Sequence, residues 1–193
     1  MKKIIITTIF LFLYFLPANS QSEVKPIIEG NLEAKVKLIV FESLTCSHCA
    51  DFHKNVYPGL KKDFIDKGHV SIEFRNFPLD IAALNASKIA HCKNDGKSEI
   101  LHYLFNNQKV WLKGKSIEDL NQNIKLFIEK SNFNLDTEKC LNNNQVEDHI
   151  LEERIEGAKK FKIEATPTLI INDEKFENPS NYKKLKKYLE KLI

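Results

Sequence analysis

Phe41-Glu42-Ser43-Leu44-Thr45-Cys46-Ser47-His48-Cys49 closes one pattern and opens another. Val36 to Phe41 is a nearly all-apolar run, which suits a central strand buried on both faces. After a short turn, two cysteines two residues apart open a helical pattern. That spacing lets both sulfurs meet in one small ring. The first sulfur sits where a helix N-terminus stabilises a thiolate. A Cys-x-x-Cys after a strand and at the mouth of a helix reads as a redox dithiol.

Working outward, Cys46 to about Val56 reads as helix. Pro58 interrupts it, because proline has no N–H for an internal bond. Helix resumes through about Lys67 and stops at Gly68. Val70, Ile72 and Phe74 alternate with polar residues, a second strand. Strand, helix, strand is a βαβ unit, expected to be right-handed. From Pro78 the pattern turns helical. Ile81 to Cys92 and Ser98 to Asn107 are amphipathic, the latter burying Leu101, Leu104 and Phe105. Ser116 and Asp119 make an N-cap signal before Leu120, Ile124, Phe127 and Ile128. Asp136 caps a turn carrying Cys140. Val146 to Phe161 is a charged helix, expected to face Ile150, Leu151, Ile155 and Ala158 inward. Thr168 to Ile171 is a strand, Asn172 to Lys175 a turn, and Phe176 the start of a second arm. Ser180 is expected to cap a last helix through Ile193. The layout is βαβ, a helical insertion over 78–149, then ββα.

Residues 1–20 read as a secretory signal peptide. Lys2 and Lys3 form a positive start, and Ile4 to Leu16 is apolar but short for a membrane span. Ala18 and Ser20 supply the small positions of a cleavage pattern. Without Lys2 and Lys3 the formal charge of +3 becomes +1, which argues against a nucleic-acid partner. The lysines at 183, 184, 186 and 187 read as a solvated helix face. In an exported chain disulfides persist. Four cysteines allow three pairings. If Cys46 and Cys49 pair locally, Cys92 and Cys140 remain.

Redox work needs more thiolate than an ordinary cysteine offers. The helix N-terminus, His48 within the motif and partial exposure all lower the pKa of Cys46. Cys49, one turn into the helix, is expected to be shielded. Cys46 is therefore the attacking sulfur and Cys49 the resolving one. A zinc site would need a second compact ligand pair, which the sequence lacks beyond His53, so no metal is expected. Ala165-Thr166-Pro167-Thr168 is the second constellation. A proline at the start of an apolar run belongs at a strand edge or first position. If its peptide is cis, Thr166 presents backbone groups to an extended peptide; an ordinary trans strand start is the plainer reading. Cys92 and Cys140 read either as a second redox pair or as a staple. The staple is favoured, because nothing nearby activates either thiol, and closing about 48 residues stabilises by roughly 4 kcal/mol in the chain-entropy model. His69, His91, His102 and His149 read as scattered surface residues, and Trp111 as a core plug.

Together, Cys46-Ser47-His48-Cys49 after a strand, the helical insertion, Gly157-Ala158-Lys159-Lys160-Phe161 leading into Ala165-Thr166-Pro167-Thr168, and the closing hairpin and helix resemble the DsbA-like thiol:disulfide oxidoreductases of the thioredoxin superfamily. The resemblance implies an α/β thioredoxin fold in two halves, 21–77 and 150–193, split by an all-helical domain at 78–149. It implies that Pro167 is cis and packs against the Cys46–Cys49 pair, and that His48 stabilises the Cys46 thiolate. An extra disulfide of the Cys92–Cys140 kind occurs in some relatives. Many relatives carry an acid six residues before the first cysteine, where this chain has Val40. Glu42, two residues on and toward the same face of a regular strand, is the candidate proton acceptor, with an exposed turn residue as its plain alternative.

The function expected is an enzyme of the periplasm that introduces disulfides into reduced exported proteins, acting as a monomer without cofactor. The resemblance adds a membrane quinone-linked reoxidase as partner. Two other readings stay open: a reductase or isomerase of the same fold, and a non-catalytic binding or chaperone module with a structural Cys46–Cys49 bridge.

Overall fold

The computed structural model describes residues 23–193. The signal peptide expected at 1–20 lies outside them. β2 (Val36–Glu42) runs parallel to β3 (Val70–Asn76), with Leu38 opposite Ile72 and Val40 opposite Phe74. Their crossover is α1 (Ser47–Asn55), α2 (Tyr57–Leu60) and a π-helical turn, Lys61–Ile65. Pro58 lies in the first turn of α2, where its missing N–H costs no helical bond. On the other side of β2, β4 (Thr168–Ile171) pairs antiparallel and is followed by β5 (Glu174–Phe176).

One strand escaped the sequence pattern. β1 (Ile27–Gly30) pairs antiparallel with β3 and gives the order β1-β3-β2-β4-β5. Four residues after Pro26 are too few to show alternation, and Ile27 alone is fully buried. β1 matters because it carries Glu29.

Between β3 and β4 the described chain is helical: α3 (Ile81–Ala90), α4 (Glu99–Asn106), α5 (Gln108–Trp111), α6 (Ile117–Glu129), α7 (Thr137–Leu141) and α8 (Asn144–Lys160). Ser116 and Asp119 form a reciprocal capping box at the start of α6. Trp111 plugs the core at 1% exposure and donates from Nε1 to the Leu104 carbonyl at 2.8 Å. Cys92 and Cys140 are joined, with Cα atoms 5.2 Å apart, so the end of α3 is tied to α7. The insertion shares its core with the sheet: Leu38, Val40, Cys49 and Phe52 pack in one continuous cluster with Leu104, Phe105, Trp111 and Ile124.

α8 corrects the inward face read from sequence. Leu151, Ile155 and Ala158 are exposed; the buried stripe is Val146, Ile150, Glu153 and Gly157. Gly157 is there because the helix rides directly on Phe41. A Cβ at Gly157 would meet the Phe41 ring at 2.8 Å and the Phe77 ring at 3.2 Å. Glu153 is there because it accepts from the Asn76 N–H at 2.8 Å and from Asn76 Nδ2 at 2.7 Å at the end of β3. α8 also runs unbroken across residue 150, its first turns against Val24 and Leu84 and its later ones against β2 and β3. The last helix, α9 (Tyr182–Leu189), is capped by Asn181, which accepts from the Lys184 N–H; Ser180 precedes the cap.

Candidate active site

Cys46 is the N-cap of α1, in extended conformation, and Cys49 faces the core one turn in. Both are free thiols. The loop before them is anchored from the insertion. Gln108 Nε2 donates to the Leu44 carbonyl at 2.8 Å and to the Cys46 carbonyl at 3.0 Å. Thr45 Oγ1 donates to Asp80 Oδ2 at 2.8 Å, and Asp80 caps α3 through its other oxygen. The Leu79 N–H donates to Ser43 Oγ at 3.3 Å. Gln108 carries no motif signal, and Asp80 carries only an N-cap signal that says nothing of its bond to Thr45.

The Thr166–Pro167 peptide is cis. Cys46 Sγ lies 3.3 Å from the Thr166 carbonyl oxygen. The structure thus brings Cys46, Cys49, Thr166 and Pro167 together. His48 is exposed, and its backbone N–H is what reaches Cys46.

The two thiols are pushed in opposite directions. Cys46 is lowered to about 5, chiefly by the hydrogen bond from the Cys49 thiol. Burial opposes the shift; Thr166 and the N–H groups of Cys49 and His48 add to it. Cys49 is raised, first by burial, then by its bond to Cys46. A thiol near 5 is ~99% thiolate at pH 7, against ~3% for an ordinary one near 8.5. The arrangement therefore presents one ready nucleophile and one shielded thiol that must be deprotonated on demand.

Glu42 is buried at the end of β2, on the Val40 face, and is not an exposed turn residue. Burial raises its pKa well above the carboxylate range. Its Oε2 lies 2.7 Å from His53 Nε2, and its Oε1 is buried without a partner.

The histidines correct another expectation. His69 is exposed, but His91 is 3% exposed, His102 is half-buried and His149 encloses its Nε2. His53 is also buried, at 2%. The signal was present in the spacing: Cys49, Phe52, His53 and Val56 share one helical stripe, as do Ser98, Leu101, His102 and Phe105.

His91, His149 and Glu153 bring three donor atoms within 4.8 Å of one another. Asn76 decides what they are. Its Nδ2 donates both to Glu153 Oε2 and to His91 Nε2, at 2.7 and 2.8 Å. Reversing the amide would set its oxygen against the carboxylate. His91 therefore accepts at Nε2 from Asn76, which engages that lone pair, and carries its proton on Nδ1, which has no partner. With Asn76 bonded to both His91 and Glu153, the trio acts as a hydrogen-bonded support between α8 and β3.

A family model described as Thioredoxin matches residues 22–191. The crystal structure of Wolbachia pipientis alpha-DsbA1 superposes with a TM-score of 0.77 at 29% identity, over 86% of this chain and 90% of that one. The disulfide bond formation protein D of Bacillus subtilis is 28% identical over 179 residues, 88% of this chain and 77% of the relative. A Rickettsia typhi relative named as a protein-disulfide oxidoreductase is 27% identical over 158 residues; the match covers 80% of this chain but 57% of that longer protein. The redox-dithiol geometry, the strand order with its helical insertion and a family match over nearly all described residues agree: this chain belongs to the thioredoxin family, as a DsbA-like member.

Proposed function

We propose that this protein is an exported thiol:disulfide oxidoreductase that introduces disulfides into reduced proteins of the periplasm. One observation carries the reading: Cys46 is held to about 5 while Cys49, its neighbour in the same turn, is pushed up. A stabilised Cys46 thiolate stabilises the reduced enzyme, and that makes the oxidised pair a strong acceptor of electrons.

In the forward step a substrate thiolate attacks Cys46 Sγ of the Cys46–Cys49 disulfide. The Cys46–Cys49 bond breaks, its electron pair stays on Cys49, and a mixed disulfide forms at Cys46. A second substrate thiolate then attacks the substrate sulfur, and Cys46 leaves as the thiolate. The substrate is oxidised by two electrons and the enzyme reduced by two. An extended substrate segment lies beside Thr166 and Pro167, using the free backbone groups there. Glu42 is the proton acceptor and donor for Cys49, and His48 supports the Cys46 thiolate. Cys92–Cys140 serves as a structural disulfide. A membrane quinone-linked reoxidase restores the Cys46–Cys49 bond, and the enzyme works as a monomer, without cofactor or metal.

The test is alkylation across a pH series together with Cys46→Ser. Cys46 is expected to react well below pH 7 after mild reduction, with Cys92 and Cys140 silent. Cys46→Ser is expected to abolish oxidation of a reduced model substrate. Survival of that activity would make the Cys46–Cys49 pair structural and sink the reading.

A further inference from the structure

Glu42 does not end in the core. Its Oε2 lies 2.7 Å from His53 Nε2. His53 Nδ1 lies 2.9 Å from His102 Nδ1. His102 Nε2 lies 2.7 Å from Glu29 Oε1. Four side chains from β2, α1, α4 and β1 thus make an unbroken line. The His53 ring is stacked on Phe105 at 4.0 Å between centroids, with Phe74 at 5.6 Å, and this packing keeps water off His53. Glu29 ends it in an open cleft lined by Tyr57, Lys61, Ser98 and His102. None of residues 43–50 lines that cleft.

The protons in the line are fixed one by one. Glu29 accepts from His102 Nε2, from Ser98 Oγ and from Tyr57 OH at 2.6 Å, and these bonds overcome burial to hold it at about 2. Glu29 is ionised and accepts from His102 Nε2–H; with His102 as the neutral ring, its Nδ1 offers a lone pair. The facing His53 Nδ1 must then donate, which leaves a lone pair on His53 Nε2. Burial holds His53 down at about 3, consistent with that neutral ring. Glu42 Oε2 must therefore be protonated, as its burial also requires. Every donor points the same way, from Glu42 toward Glu29. The charges that reach the line are those of Lys61, 4.0 Å from Glu29, of Glu153 and Cys46, both felt at Glu42, and of His102 itself when its ring is charged.

We propose that Glu42, His53, His102 and Glu29 form a proton relay that connects buried Cys49 to solvent at the Glu29 cleft, away from the face where Cys46 meets its partners. The inference rests on the thiol-exchange reading above and adds the route by which the resolving thiol gains and loses its proton. When the reduced enzyme is reoxidised, Cys49 attacks Cys46 of the mixed disulfide with the reoxidase. Glu42 Oε1, which has no hydrogen-bond partner in this structure, takes up the Cys49 proton when Cys49 Sγ reaches it; the Oε2 proton then passes to His53 Nε2, the Nδ1 proton to His102 Nδ1, and the Nε2 proton to Glu29 and out. The Cys46–Cys49 bond forms and the partner's sulfur leaves with the electron pair. When a substrate next opens that bond, Cys49 leaves as a thiolate and every proton steps back by one place. One turnover contains one outward and one inward shift, so the two rings return to their starting tautomers without turning. The interior never holds an imidazolium or a second net charge.

The experiment is stopped-flow measurement of Cys49 attack on a Cys46–glutathione mixed disulfide, as a function of pH and in heavy water. His102→Phe and Glu29→Gln are each expected to slow that step by at least ~10-fold at pH 7 and to change its solvent isotope effect. Glu42→Gln is expected to slow it at least as much. Added imidazole should restore part of the rate to His102→Phe. Glu29→Gln sits at the cleft and provides the test should His102→Phe fail to fold. Unchanged rates and isotope effects in a folded His102 or Glu29 variant, with Glu42→Gln slow, would overturn the relay and leave the thiol-exchange reading standing. Loss of that reading would show instead as oxidising activity surviving Cys46→Ser.

Discussion

Cys46 Sγ and the Thr166 carbonyl oxygen meet at 3.3 Å across 120 residues of chain. The contact joins the mouth of α1 to the start of β4. Thr166 also lowers the Cys46 pKa. Thr166→Val keeps the shape and removes the hydroxyl. The Cys46 pKa is expected to rise from about 5 toward the ordinary range, read by thiolate ultraviolet absorbance, with slower alkylation at acidic pH. An unchanged titration would remove Thr166 from the set of groups that activate Cys46.

The same shift makes stability depend on redox state and pH. Cys46 is held at about 5 in the folded reduced protein, against about 8.5 for an unperturbed thiol. A group with a depressed folded pKa contributes stability that is complete above its unfolded pKa and is lost as pH falls through the folded one. The oxidised protein has no such titration. Melting of the two forms should therefore diverge in favour of the reduced form as pH rises from about 5 toward 9. A gap between the two melting temperatures that stays constant across this range would contradict the lowered pKa.

Cys92–Cys140 ties α3 to α7 over a separation of 48 residues. Replacing both cysteines by alanine is expected to cost about 2–5 kcal/mol in urea unfolding. Oxidation of a reduced substrate through Cys46 should continue at temperatures where the variant stays folded. Loss of activity without loss of structure would instead mark Cys92 and Cys140 as a second redox pair.

Gly157→Ala places a methyl 2.8 Å from the fully buried Phe41 ring. Alanine is the better helix former by about 1 kcal/mol. The overlap is expected to outweigh that gain, with a net loss of about 1–2 kcal/mol on chemical denaturation. A stabilised variant would mean that α8 can lift from the sheet at little cost.

Much of the frame was readable because its signals are local. The apolar run before Cys46, the alternation of Val70, Ile72 and Phe74, and the caps at Ser116 and Asp136 each sit within a few residues of what they specify. What could not be read depends on distant partners. Glu153 and Gly157 look like ordinary polar and flexible positions until Asn76 and Phe41 are placed against them. β1 is too short to announce itself, yet it supplies Glu29. His53 and His102 lie on apolar stripes of separate helices, and only the packing of α1 against α4 brings their rings 5.0 Å apart, centroid to centroid. Gln108 reaches the Cys46 loop for the same reason, from an insertion that shares the core with the sheet.

The measurement that bears most directly on the proposed direction of reaction is the equilibrium between the Cys46–Cys49 pair and a glutathione redox buffer. A stabilised Cys46 thiolate should give an oxidising couple, nearer about −120 mV than the thioredoxin value of about −270 mV. A potential at or below about −270 mV would contradict the account and make the protein a reductase.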